Sequence, residues 1–107
     1  MPSEELLVKE AKRRAEVFRN LNRYLRILAS VVEQIDDKAE IYLFGSVAEG
    51  RHLLSSDIDV LVVTDKPPAE VLKKLWEAGI KDPFEIHVAT KEHVKLYKAK
   101  AKLTRIK

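Results

Sequence analysis

The chain of 107 residues contains no cysteine. That absence excludes a disulfide framework, a thiolate-held zinc site and a thiol nucleophile. Long apolar runs are missing too: none approaches the ~18 residues a membrane span needs, and residues 1–10 are too polar for a secretory signal. A cytoplasmic protein is therefore expected. Side-chain amides are scarce, with only Asn20, Asn22 and Gln34, whereas charged residues make up 35% of the chain against about 25% in ordinary globular domains. Such a Lys- and Glu-rich composition resembles that of proteins from thermophiles.

A chain of this length has room for one core, which hides roughly 65% of the unfolded surface without staples. One domain over residues 1–107 is expected: N-terminal helices over 1–37, a core over 40–90, and a helix with a basic tail over 91–107. The net charge of +3 is uneven, because residues 91–107 hold seven basic side chains and one acid, or +6, leaving −3 for residues 1–90.

Apolar side chains recur at helical spacing through residues 4–35: Leu7, Ala11, Ala15, Phe18, then Leu21, Leu25, Leu28, Val32 and Ile35. One straight helix of that length would extend ~48 Å, too long for a domain about 35 Å across. A break is expected, with Asn20 or Asn22 as N-cap of the second piece. Residues 41–44 (IYLF) read as a strand stopped by Gly45-Ser46, and residues 58–64 (IDVLVVT) as a strand covered on both faces. Pro68 suits the first turn of a helix whose apolar face is Val71, Leu72, Leu75 and Trp76, with Gly79 at its end. Residues 84–89 (FEIHVA) form a third strand, followed by a helix from about Lys91. The element order is ααββαβα. The Leu21–Ile35 stripe, Tyr42 and the Trp76 face are read as core.

Chemistry concentrates between Gly45 and Asp59. Gly45-Ser46 directly after a strand allows a sharp turn that leaves backbone amides and a hydroxyl free to meet an anion such as phosphate. Asp57 and Asp59, two apart, project from one face of a strand, so they repel unless basic side chains, water or a divalent cation intervene. Hard cations such as Mg²⁺ favour carboxylate oxygens together with substrate phosphates. Glu85 opens another strand, and if the two strands are neighbours the three acids converge on one metal site able to serve a two-metal phosphoryl or nucleotidyl transfer. His87 follows Glu85 on the same face and reads as a surface or partly buried histidine. Tyr24 and Tyr97 offer modifiable hydroxyls, with nothing in their surroundings to single them out.

Gly45-Ser46, ten intervening residues, Asp57-x-Asp59 and then residues 60–63 (VLVV), with residues 43–46 (LFGS) before and Glu85 after, resemble the signature of the DNA polymerase beta nucleotidyltransferase superfamily. The resemblance is to its minimal nucleotidyltransferase (MNT) members and covers residues 40–90. It implies an α+β, two-layer nucleotidyltransferase fold: a small mixed β-sheet backed by helices, with an N-terminal helical segment. Gly45 and Ser46 would grip the terminal phosphates of ATP, with Arg51 and Ser56 as further nucleotide contacts. Asp57, Asp59 and Glu85 would be the catalytic acids and hold Mg²⁺, two ions being expected. Many relatives carry Gly-Ser-x-Ala-Arg-Gly, whereas Glu49 stands at the Arg position, and Arg51 or His52 is placed to compensate.

The same resemblance implies a partner. MNT proteins pair with small helical HEPN proteins, and as antitoxins some transfer AMP from ATP to a tyrosine of the HEPN toxin. The expected activity is thus Mg²⁺-dependent adenylylation of a HEPN-type protein; the alternative is a non-catalytic antitoxin that masks its partner and keeps a residual nucleotide site. The oligomeric state stays open, a homo-oligomer included. A membrane is not expected as partner. Nor is nucleic acid, because only Tyr97 interleaves an aromatic side chain with the basic tail, and lysine-rich ends are ordinarily solvated and flexible.

Overall fold

The computed structural model describes residues 3–50 and 56–107. Its first two elements are helices, α1 (Glu4–Arg19) and α2 (Leu21–Ile35). The expected break falls at Asn20, for a reason other than N-capping. The Asn20 backbone N–H and side-chain amide both donate to the Glu16 carbonyl at 3.0 Å, closing α1 at its C-terminus, and no side chain caps α2. At the other end of α1, the Ser3 hydroxyl accepts from the Leu6 N–H at 3.1 Å.

Among the described residues, four strands and three further helices follow in the order β1 (Glu40–Phe44), α3 (Gly45–Ala48), β2 (Ile58–Val63), α4 (Pro68–Glu77), β3 (Phe84–Ala89), α5 (Val94–Lys100) and β4 (Thr104–Arg105). The sheet runs β3-β2-β1-β4, with β1 antiparallel to β2 and to β4, and β2 parallel to β3. This is the small mixed sheet of the expected α+β fold.

Strand alternation divides the core into two layers. Ile41, Ile58, Val60 and Val62 face α2 and α4, where they meet Leu28, Val32, Val71 and Leu75. Tyr42, Leu61, Val63 and Ala89 face the opposite side with Val94 of α5. Central β2 is apolar on both faces because both are covered. Each fully buried aliphatic side chain contributes about 1.5–3 kcal/mol. The helix α4 starts at Pro68 and closes on Gly79 (φ +90°), where the Ile80 N–H reaches the Leu75 carbonyl at 2.9 Å.

Four expectations are corrected. The order ααββαβα gains two short elements, α3, where the Gly45-Ser46 turn closes one helical turn, and β4, which pairs with the edge of β1. Trp76 is 60% exposed and Leu72 also faces outward, leaving Val71 and Leu75 as the buried face of α4; the indole lies under the Lys81 ammonium, 4.7 Å from the ring centroid. The last helix begins at Val94 rather than Lys91, after a turn in which the His93 N–H donates to the Thr90 hydroxyl. The basic end is not a loose tail. Residues 104–105 pair with β1, Ile106 packs against the core, and Lys107 accepts from the Ile41 N–H at 2.9 Å while its ammonium donates to the Ala39 carbonyl at 3.1 Å. Among the described residues, no helix is long and apolar enough to cross a membrane.

Candidate active site

The parallel register of β2 and β3 sets Asp59 directly opposite Glu85. Both belong to the odd positions of their strands, with Leu61 and His87 next along the same face. That places one carboxylate from each strand at the edge of the α5-side layer. His87 closes the group: its Nε2 lies 3.6 Å from Asp59 Oδ1 and 3.6 Å from Glu85 Oε1. One ligand atom from each of the three residues lies within 4.8 Å of the others. The imidazole is held edge-on by Phe44 and Tyr97, with ring centroids 5.0 and 6.1 Å away.

Gly45 explains why the turn after β1 approaches so closely. Its φ is +76°, a conformation side chains disfavour, and a Cβ there would run into Asp59 Oδ2. The one-turn helix α3, which contains Ser46, therefore starts against the Asp59 carboxylate, with the Glu49 N–H bonded back to the Gly45 carbonyl at 3.2 Å.

Asp57 is placed differently. It precedes β2, its side chain is 53% exposed, and Arg14 of α1 stands beside it, Nη2 to Oδ1 3.8 Å. The guanidinium makes its shorter bonds elsewhere, to Asp82 Oδ2 at 2.9 Å and to the Ser56 carbonyl at 2.8 Å. Arg13 also bonds Asp82, so α1 is clamped to the segment before β3. Of the expected site residues, Asp59, Glu85, Gly45 and Ser46 are thus gathered at one end of the sheet. Asp57 lies on the Arg14 side of that end, and Ser56 meets Arg14 through its backbone. Arg51 and His52 fall outside the described residues.

Two participants were not expected. His87 left a usable signal, because a residue two after Glu85 on a strand shares its face. Arg14 left none: it lies 42 residues before Ser56, on a helix whose pattern says only that it is amphipathic.

The three donors fit a divalent cation. Two carboxylate oxygens supply negative charge, and His87 Nε2, buried without a hydrogen-bond partner among the described residues, supplies a lone pair aimed between them. Groups whose titration is displaced stand elsewhere. Asp36 is held below its usual range by the hydroxyl of Thr64, and the Tyr42 hydroxyl, donating to Glu40, lowers that carboxyl while its own ionisation is pushed up.

Comparison with known proteins shows the family. The family model described as "Nucleotidyltransferase domain" matches residues 25–106. The chain belongs to the nucleotidyltransferase family. A crystal structure of a protein provisionally named a nucleotidyltransferase is similar over 78% of this chain and 97% of that one, at 32% identity and TM-score 0.66. Another, from Sulfolobus solfataricus and provisionally given the same name, covers 81% of this chain and 84% of its own at 23% identity and TM-score 0.52, which bears on the fold alone. The nucleotidyltransferase match reaches beyond residues 40–90 to take in most of α2 together with α5 and β4, so the terminal strand is part of the family domain. The helix α1, with Arg14, precedes the matched segment.

Proposed function

We propose that this nucleotidyltransferase domain transfers AMP from ATP, with Mg²⁺, to a hydroxyl of a HEPN-type protein and thereby acts as an antitoxin. The observation that carries the reading is the facing pair Asp59 and Glu85, with the Gly45-Ser46 turn pressed against Asp59. Asp59 and Glu85 would hold the metal, and Asp57, half-exposed beside Arg14, is assigned to it as a further ligand. Bound there, Mg²⁺ supplies charge stabilisation to the α-phosphate and its leaving group.

The chain's own residues do the rest. Gly45 and Ser46 present backbone amides and a hydroxyl to the terminal phosphates, and Arg51 and Ser56 are assigned to the same nucleotide. The acceptor oxygen attacks the α-phosphorus, the bond to the bridging oxygen of pyrophosphate breaks, and the hydroxyl proton passes to Asp59 or Glu85. The test is label transfer onto a co-purified or co-expressed partner. Label from α-³²P-ATP is expected to appear on it and label from γ-³²P-ATP is not; transfer of the γ-label alone would refute nucleotidyl transfer.

A second reading has its own support. Arg14 beside Asp57, and Glu49 where relatives carry Arg, both suit a non-catalytic module that masks its partner. An Asp57→Asn/Asp59→Asn double variant that still neutralises the partner would favour it.

A further inference from the structure

We infer that His87 is itself a metal ligand, and that it turns the site from a magnesium site into one that prefers manganese and other nitrogen-accepting divalent cations. The inference rests on the proposed metal role of Asp59 and Glu85 and goes beyond it, because an all-carboxylate site would hold the ion through oxygen alone.

The geometry points to ligation rather than hydrogen bonding. At 3.6 Å from each carboxylate oxygen, His87 Nε2 is beyond hydrogen-bond distance of both, yet it is buried and has no other partner among the described residues. A buried polar atom left so is costly and asks for an explanation. Two atoms that each bind one ion at about 2.1 Å stand between about 3.0 Å (at right angles) and about 4.2 Å (opposite one another). The observed 3.6 Å falls inside that interval for both pairs that include His87, and the two carboxylates would close slightly around the ion, the three ligand atoms lying within 4.8 Å of one another. Phe44 and Tyr97 pack edge-on against the ring, so moving it disturbs the layer under α5.

Donor chemistry then sets the selectivity. Mg²⁺ favours oxygen ligands and water, whereas imidazole nitrogen suits the first-row transition ions, whose affinities rise from Mn²⁺ onward. One nitrogen among two carboxylates leaves Mg²⁺ binding largely to the carboxylates and strengthens Mn²⁺ binding.

The test uses the full chain with Mn²⁺ alone, followed by electron paramagnetic resonance. Bound Mn²⁺ is expected to show electron spin-echo modulation from a directly coordinated nitrogen. The modulation changes to the ¹⁵N pattern in protein grown on ¹⁵N-histidine and vanishes in His87→Gln. That variant should lose about tenfold or more in Mn²⁺ affinity, and much less in Mg²⁺ affinity, by competition. Should that variant misfold by circular dichroism, His87→Asn serves in its place, and His52→Gln and His93→Gln, each expected to keep the modulation, assign the nitrogen to His87. Mn²⁺ that binds in an Asp59-dependent way without nitrogen modulation overturns the role of His87 and leaves the proposed function standing. Absence of any Asp59-dependent Mn²⁺ binding overturns both.

Discussion

Glu85 faces Asp59 across the parallel ladder of β2 and β3, so two acids 26 positions apart in sequence share one end of the sheet. Neither has a basic side chain as its salt-bridge partner among the described residues other than His87. Asp59→Asn and Glu85→Gln are each expected to lower nucleotidyl transfer by roughly two orders of magnitude, the scale of one preorganised electrostatic group. Both should leave the thermal midpoint near that of the wild type, since neither side chain is fully buried. Turnover and circular dichroism on the same samples check this, and full activity in either variant removes that acid from the mechanism.

Gly45→Ala should harm stability and activity together. The positive φ alone costs about 1–3 kcal/mol for a residue with a side chain, and the new methyl group must displace the Asp59 carboxylate. Urea unfolding should show the loss, and Mn²⁺ titration should show weakened binding in the fraction that folds. Gly50→Ala provides the comparison. It also has positive φ (+71°), but among the described residues nothing lies within 4 Å of an added Cβ, so only the stability loss is expected.

Thr64 and Asp36 tie β2 to the end of α2, with the buried threonine hydroxyl donating to the carboxylate at 2.6 Å. This bond and the Lys38 N–H hold the Asp36 carboxyl below its ordinary 3.8. A depressed acid stabilises the fold above its unfolded value, and that contribution disappears as pH falls through the folded value. Thr64→Val is therefore expected to cost about 1 kcal/mol at neutral pH. The difference from wild type should narrow below pH 3.8. Urea midpoints of both proteins across pH 2.5–7 (a range of about four and a half units) test the sign; a gap that widens in acid contradicts it.

Removing residues 104–107 takes away β4, the Ile106 packing and the Lys107 bonds to residues 39 and 41. Losing the partly buried Ile106 alone costs about 1–2 kcal/mol and the β4 pairing goes with it, so the truncated chain should unfold at lower urea. An unchanged midpoint would mean the end of the chain does not fold onto β1.

Much of this architecture is legible from residues alone. β2 reads as a covered strand because both its faces are apolar, and the Gly45-Ser46 stop after β1 coincides with a real turn. Asp59 and Glu85 are also legible as a pair, given parallel neighbouring strands. The remainder depends on contacts between distant segments. β4 is two residues, Thr104 and Arg105, with no apolar alternation, and becomes a strand only because the edge of β1 is there to pair with. Trp76 has the spacing of a core residue, yet periodicity finds the stripe without finding its edge, and α2 covers only Val71 and Leu75. Arg14 reaches the site from outside the family domain, which no local pattern announces.

The most direct test is anomalous diffraction from crystals grown with Mn²⁺ and a non-hydrolysable ATP analogue. Expected is an anomalous peak bonded to Asp59 and Glu85 and to an oxygen of the α-phosphate, with the terminal phosphates against Gly45 and Ser46. Nucleotide and metal bound elsewhere, or a saturated crystal with no peak between those two carboxylates, would contradict it.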